Sequence, residues 1–410
     1  MKHADSTYDV ICLPLGASAL GGAERSLLDV AAGFAARGAS VLVLAEEPLR
    51  DTAFLGMAAE RGVHVKWVPW RPERSRIRNA IDAWRVFRRH RAPFLYFTVG
   101  WRRGMWVLPL VARLAMRTRM IGSMRTMPDP HQRVRKKRYF GFLPGLGLWH
   151  IPEVIVGWLW GQILDLTVSV NRLDFPARLV AHYGFSRAKI RVILNGIATR
   201  EVRLSPEERR AIRGRHGWAD EDLLIGFVGR LSPEKGAQYL LDALTPLPEP
   251  IRIVMIGDGP QRAELEALAA ERGIAHRVAF LGNLDRPGDL IACFDVVAVP
   301  TVVEEAFGRV VVESLNEGVP IIATQVGGMA ELFTDGIEGY YVPPRDPQAI
   351  AAAVSKLAMT MDRGRAMGEA GRRLVREKYS LARTVEEYCR LYDELVPVGS
   401  RGRAPRPERP

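Results

Sequence analysis

The sequence predicts an α/β protein built from two doubly wound, Rossmann-like domains. Three observations lead there. Short apolar runs alternate with amphipathic helical patterns in both halves of the 410-residue chain. Each half opens on a buried strand that runs into a glycine-containing turn and then a helix. A polar, charged stretch between about Gly196 and Asp222 separates the halves. At 48% hydrophobic residues, a chain of this length can bury about two or three separate cores.

The first half begins with a strand at residues 8–13 and a small-residue loop from Gly16 to Gly22. A helix follows with Leu27, Leu28, Ala31, Phe34 and Ala35 on one side. Gly38 ends that helix, and residues 41–44 form the next buried strand. This βαβ start implies a parallel sheet. Further strands are expected at 63–68, 94–97, 120–123, 166–170 and 190–194. In the polar stretch, Ser205-Pro206-Glu207-Glu208 supplies a cap, a proline at the first helical position and a glutamate at the third, so a short helix starts there. The second half alternates strands at 223–228, 251–256, 278–281, 296–299 and 321–323 with helices near 237–244, 261–271, 308–317 and 347–359. A last helix after Ser380, with Leu381, Val385, Tyr388, Tyr392 and Leu395 as its apolar stripe, comes after that sheet is complete. Residues 401–410 hold little to bury and predict a disordered end. The boundaries drawn are 1–196 for the first domain, 197–221 for a linker, 222–379 for the second domain, 380–396 for the last helix and 397–410 for the tail. Two such domains are expected to face each other across a cleft at the carboxyl ends of their strands, where ligands bind.

Cys12, Cys293 and Cys389 are far apart and suggest neither a disulfide framework nor a metal site, which favours a reducing cytoplasm. Lys2 and Asp5 precede an ordinary strand, so no signal peptide is expected. The net charge of +12 is uneven: residues 71–138 carry 19 Lys and Arg against Glu73, Asp82 and Asp129, an excess of +16 that leaves the remainder near −4. Eight of the nine tryptophans fall between Trp67 and Trp160. Basic residues mixed with interfacial aromatics over residues 71–164 suit an anionic membrane surface. A basic solvated face over core tryptophans is the equal alternative. No nucleic-acid recognition module accompanies the charge, so no nucleic-acid partner is expected. Residues 139–164 are apolar, yet Pro144, His150, Pro152 and Glu153 interrupt them, which argues against a membrane span. A membrane-lying helix, a hydrophobic acceptor groove and an insertion packed on its own domain stay open.

The chemistry centres on Glu305-Ala306-Phe307-Gly308-Arg309-Val310-Val311-Val312-Glu313. Glu305 lies in a turn after an apolar strand, and Glu313 about two turns into a helix begun by Phe307-Gly308. Free N–H groups and the positive dipole end at that helix start favour a phosphate. One acid can then reach sugar hydroxyls and the other a ribose. After the first strand of the second half, Gly229-Arg230-x4-Lys235-Gly236 offers a guanidinium fork and a mobile ammonium, a pair able to clamp a diphosphate. An ordinary basic surface turn is the plain alternative. Gly257-Asp258-Gly259-Pro260 and Gly327-Gly328 with Glu331 read equally well as ligand-approach loops or as tight turns. Gly21-Gly22 opens a helix and lets backbone amides face an anion, with a simple helix-entry loop as the equal alternative.

These pieces, with Val168-Ser169 and Val192-Ile193-Leu194-Asn195-Gly196-Ile197, occur in an order that resembles the family 4 (group 1) retaining glycosyltransferases of GT-B type, over roughly residues 8 to 396. The resemblance implies that Arg230 and Lys235 bind the donor diphosphate, Glu305 the donor sugar hydroxyls and Glu313 the ribose. It implies that the backbone at Phe307-Gly308 faces sugar and phosphate, that Gly21-Gly22 approaches the phosphates from the other domain, and that the last helix crosses back to the first. It also implies retention of anomeric configuration and no metal. Arg230, Lys235 and a helix terminus can carry the leaving group's charge, a task otherwise given to a cation. The only Asp-x-Asp element, Asp220-Glu221-Asp222, reads as a solvated turn, so no metal and no cofactor beyond the sugar nucleotide are expected. Many relatives place a histidine after the strand that precedes the acceptor region. Here Arg125 stands near that place; it cannot act as a base, but it can hold an acceptor phosphate or assist the leaving group. His131 is a fallback. With Glu305 and Arg125 as catalytic candidates, the expected reaction moves a hexose from a UDP- or GDP-linked sugar to a hydroxyl of a lipid-linked or polysaccharide acceptor. Its expected place is the cytoplasmic membrane face. The alternatives are a nucleotide-sugar epimerase or hydrolase on the same scaffold, acting without an acceptor, and a non-catalytic sugar-nucleotide binder.

Overall fold

The structure, a computed structural model, describes residues 6–15, 21–50, 52–70, 74–99, 107–125, 151–201, 203–284, 287–359 and 361–397. His131, the expected tail beyond residue 397 and most of the apolar segment before Ile151 lie outside them. The chain divides into two units, residues 1–195 with 382–410, and residues 196–381.

The first unit holds β1 (Ser6–Thr7), β2 (Val10–Leu13), β3 (Val41–Glu46), β4 (His64–Val68), β5 (His90–Arg91), β6 (Phe94–Val99), β7 (Arg119–Met124), β8 (Leu166–Ser169) and β9 (Ile190–Val192). Seven of them form a parallel sheet in the order β4-β3-β2-β6-β7-β8-β9, while β1 pairs with β5. Strand order reverses between β2 and β6. Its helices are α1 (Gly22–Ala36), α2 (Phe54–Glu60), α3 (Arg76–Arg89), α4 (Val107–Met116), α5 (Ile151–Ile163) and α6 (Asp174–Tyr183). Right-handed crossovers put α1 and α2 on one face of the sheet and α3 to α6 on the other. The inner strands β2, β3, β6, β7 and β8 are buried almost throughout because helices cover both faces, while the edge strands β4 and β9 are only partly buried.

The second unit begins with α7 (Pro206–Arg215), capped by Ser205 as its sequence predicts. Its sheet contains β10 (Leu223–Val228), β11 (Ile251–Ile256), β12 (Val278–Gly282), β13 (Val296–Val299), β14 (Ile321–Thr324) and β15 (Gly339–Val342), all parallel, in the order β12-β11-β10-β13-β14-β15. Its helices are α8 (Ala237–Leu244), α9 (Arg262–Glu271), α10 (Gly288–Ile291), α11 (Arg309–Asn316), α12 (Pro347–Ala358) and α13 (Met361–Lys378). The last helix, α14 (Leu381–Leu395), contributes Tyr388, Cys389, Leu391 and Tyr392 to the core of the first unit, beside Leu27, Phe34 and Phe94. Tyr392 meets Phe94 edge-on at 5.1 Å, and the missing side chain of Gly33 makes room for Val385.

Three features differ from the sequence expectation. The helix assigned to a linker, α7, is built into the second unit: Arg213 is fully buried, donates to the carbonyls of Ala219, Asp222 and Cys293, and pairs with Asp295 at 3.3 Å. A polar anchor of that kind carries no hydropathy signal. Strand β15 is a four-residue edge strand opened by Gly339, too short to show a period. Helix α13 buries only a sparse stripe, with Met367, Leu374 and Val375, among many charges.

Asp165, beside β7, accepts hydrogen bonds from the Met120 N–H at 2.9 Å and from Arg113 and Arg119. Burial pushes its carboxyl up, but the bonds from Arg113, Met120 N–H and Arg119 outweigh this and hold it below the usual carboxylate range. Its charged form therefore stabilises the fold above the unfolded-state value, near 3.9, and that contribution is lost as pH falls through the lower folded value. Asp165→Asn is expected to cost about 1–3 kcal/mol at neutral pH, with the gap to the wild type narrowing below about pH 4 in denaturant titrations.

Candidate functional site

The sheet of the second unit changes direction between β10 and β13, and ligand crevices form at the carboxyl ends of strands at such a point. Arg230 follows β10 and is exposed. Lys235 ends the short turn Pro233–Lys235, and Gly236 after it is left-handed, φ 74°. A Cβ on Gly236 would lie 2.0 Å from the Pro300 carbonyl, so only glycine lets this turn sit on the end of β13. Val302 N–H donates to the Glu234 carbonyl at 2.9 Å and ties the two loops together. The result is that Lys235 Nζ lies 3.0 Å from Glu305 Oε1, both side chains half-buried. Thr301 Oγ1 donates to the other carboxylate oxygen at 3.4 Å.

The Gly327-Gly328 turn holds Glu305 from behind. Gly328 N–H donates to the Glu305 carbonyl at 2.7 Å. Gly327 is left-handed at φ 51°, and a Cβ there would lie 2.7 Å from that same carbonyl oxygen. Of the two readings the sequence left open for this glycine pair, the structure shows a turn that supports a site residue. The Gly257-Asp258-Gly259 loop is likewise sewn to the turn after β10, with Leu231 N–H on the Asp258 carbonyl at 3.0 Å.

Gly308 is the N-cap of α11, and no side chain caps the free N–H groups there. Phe307 is 5% exposed and meets Tyr379 edge-on at 5.8 Å, so its ring anchors the loop while its backbone borders the helix start. Glu313 is the fifth residue of α11, about one turn in rather than two, and accepts from Arg309 Nε at 2.6 Å. The polarity of the turn is positive. Burial pushes the Glu234 carboxyl up, but Ser232, a backbone N–H, Lys235 and Arg230 together hold it below its ordinary value. The structure thus joins Lys235 to Glu305 directly, with Arg230 just past β10 and Glu313 one turn into α11. Sequence reasoning missed Thr301 and Arg309, although Arg309 is spaced four residues from Glu313 as a helical ion pair requires.

In the first unit, Gly21 is the extended N-cap of α1, and its N–H donates to Glu24 Oε2 at 2.9 Å. Burial pushes the Glu24 carboxyl up, against the opposing influence of its backbone bonds and Arg125. Arg125, just past β7, is only 7% exposed. Its guanidinium donates to Ser26 Oγ at 3.0 Å, to Asn195 Oδ1 and to Tyr96 OH at 3.0 Å. Tyr96 OH donates in turn to Tyr388 OH at 3.4 Å, and Tyr388 OH to Ser123 Oγ at 3.3 Å. Expected to meet a substrate, Arg125 engages the polar interior of its own unit. Asn195 was quoted in a motif, whereas Tyr96 and Tyr388 are 292 residues apart and left no local sign. The three cysteines are free and buried. Among the described residues, no group of three or more His, Cys, Asp or Glu could hold a metal ion.

Two substitutions test these arrangements by chemical denaturation. Gly327→Ala is expected to lose about 1–3 kcal/mol, because the left-handed backbone and the Glu305 carbonyl both oppose a methyl group. Arg125→Met is expected to lose about 3 kcal/mol or more, since it leaves the Tyr96, Asn195 and Ser26 oxygens without their charged donor.

Residues 20–201 match the model of Glycosyltransferase Family 4, and residues 208–374 that of Glycosyl transferases group 1. An uncharacterized glycosyltransferase of Methanocaldococcus jannaschii is 34% identical over 50% of this chain and 54% of its own length. A D-inositol 3-phosphate glycosyltransferase of Corynebacterium urealyticum is 34% identical over 60% of this chain and 61% of its own. The chain therefore spans under two thirds of the length of these relatives. In fold, it resembles the Anabaena protein HepE, crystallised in complex with UDP-glucose, with a TM-score of 0.80 at 20% identity over 94% of this chain and 100% of that one. With the two family matches placed one on each half, and the strand-end geometry above, the chain belongs to the family 4 (group 1) glycosyltransferases of GT-B fold.

Proposed function

We propose that this protein is a retaining hexosyltransferase, moving a hexose from a nucleoside diphosphate sugar to an acceptor hydroxyl. The observation that carries the reading is the Lys235–Glu305 pair at 3.0 Å beside the uncapped start of α11. The fold neighbour crystallised with UDP-glucose and the relatives named as glycosyltransferases support it and favour a UDP-linked donor.

The residues divide the work by charge. Arg230 and Lys235 take the diphosphate, whose negative charge grows as the bond between sugar C1 and the β-phosphate oxygen breaks. Lys235 spends one of its three N–H donors on Glu305 and has others for phosphate oxygens. The free amides at Gly308–Arg309 add the helix-end field, and the amides of Gly21-Gly22 are assigned a phosphate-facing role. Glu305, oriented by Thr301 and Lys235, accepts from donor sugar hydroxyls, and Glu313 from the ribose. The acceptor oxygen bonds to C1 on the face the phosphate leaves, and its proton passes to the departing phosphate oxygen. That route needs no protein base. Arg125 acts as a positioning residue, bonding Ser26 of α1 and so fixing the helix whose start carries Gly21-Gly22. The acceptor we assign is a lipid-linked or polysaccharide intermediate at the cytoplasmic membrane face. Among the described residues no helix is long and apolar enough to cross a membrane.

Glu305→Ala and Lys235→Ala are each expected to reduce nucleoside diphosphate release from UDP-glucose by about 10²–10³-fold. Their unfolding midpoints should barely move, because a half-exposed ion pair contributes about 1 kcal/mol or less. Loss of the fold rather than of turnover would sink the assignment, and donor consumption without any acceptor would point to an epimerase or hydrolase. Because Arg230, Lys235 and the α11 start supply the charge, turnover is expected to persist in excess chelator; activity abolished by chelator and restored by a divalent cation contradicts this.

A further inference from the structure

From the outer layer of the first unit, we infer that α3, with its neighbour α4, docks this protein on an anionic lipid bilayer. The proposal deepens the functional reading above and rests on it for the acceptor's location. Helix α3 faces the domain with Asn79, Ala83 and Phe87. On its outer side Ile77, Ile81 and Trp84 are 75%, 45% and 44% exposed, at positions i, i+4 and i+7 of one stripe. This second apolar stripe faces away from the buried side of the helix. Arg76, Arg78, Arg85, Arg88 and Arg89 surround it, against the single acid Asp82, so the helix carries a net charge of +4. The Arg88 guanidinium lies 6.0 Å from the Trp84 ring centre. Helix α4 packs on α3 and exposes Leu114, and α5 on the same face of the sheet exposes Ile155 and Trp158. By contrast, Trp70 and Trp160 are core residues at 1% exposure.

Charge and shape select the occupant. A second copy meeting this face through a two-fold axis would set arginines against arginines. A bilayer of anionic lipid takes arginines at the headgroups while Ile77, Ile81 and Trp84 enter the acyl boundary, as interfacial helices do. The exposed apolar residues are spread over α3, α4 and α5 rather than gathered in one groove, which suits a bilayer better than a peptide.

The test uses the full chain sedimented with vesicles of phosphatidylcholine alone, or of phosphatidylcholine with about 30% phosphatidylglycerol. Binding is expected only to the second, weakening as salt rises. The doubles Ile81→Ser with Trp84→Ser, and Arg78→Glu with Arg88→Glu, should each lose about tenfold or more in vesicle affinity. Met359→Ser, 84% exposed on the second unit, should bind as wild type. UDP-glucose thermal shifts on the same samples read the donor site separately: a retained shift without vesicle binding overturns this inference alone. Equal binding by both doubles and the wild type overturns it too. Self-association, or capture by an acidic protein, that the doubles abolish while vesicles stay unbound would assign the face to that partner instead and overturn the lipid proposal.

Discussion

The ion pair between Lys235 and Glu305 is the contact around which the proposed donor site of the second unit is built, and it exists because strand order reverses between β10 and β13. A parallel sheet places all its strand carboxyl ends on one edge, and the reversal sends the loops after β10 and β13 apart in sequence but leaves their origins adjacent. Glycine then decides how close the loops can come. At Gly236 and Gly327 a side chain would occupy the positions of the Pro300 and Glu305 carbonyls. The pair itself adds little stability at its exposure. Its value is electrostatic placement: a cation aimed by a carboxylate, beside a helix start whose amides have no capping side chain.

The first unit solves a different problem. It buries a permanent cation, Arg125, whose terminal nitrogens donate to neutral oxygens of Ser26, Asn195 and Tyr96, with the Glu24 carboxylate near enough to favour its charge. Desolvation of a guanidinium is costly unless its donors are used, so the surrounding hydroxyls are fixed in turn. Burial also pushes the Tyr388 hydroxyl well above the ordinary tyrosine range, which keeps it a neutral donor to Ser123. Through Tyr388 the last helix is part of this interior, so the C-terminal segment does more than cover the sheet. It completes a polar network that reaches the helix opened by Gly21-Gly22.

The basic, tryptophan-rich segment resolves into two kinds of residue once burial is known. Trp70 stacks near Phe87, and Trp160 near Phe97, as core aromatics. Trp84 and Trp158 stand outside. Buried and exposed tryptophans are thus present within one segment, and only the packing around each ring separates them.

The sequence by itself determined the doubly wound class, the βα order and most element positions, because burial on both faces of a parallel sheet leaves continuous apolar runs with helical periods between them. Helix α8 and strands β10, β11 and β13 occupy the expected residues. The motifs of the candidate site were legible for a related reason: glycines, paired acids and paired cations at strand ends are local signals. Tertiary structure alone decided the rest. That Arg125 would be enclosed by Tyr96 and Asn195, that α7 would be fastened through Arg213 to Cys293 and Asp295, and that α14 would supply Tyr388 are outcomes of contacts between residues tens to hundreds of positions apart. A linear pattern records which side chains can ionise or donate; only the fold sets what surrounds them, and surroundings decide whether a charge meets a ligand or the protein's own oxygens.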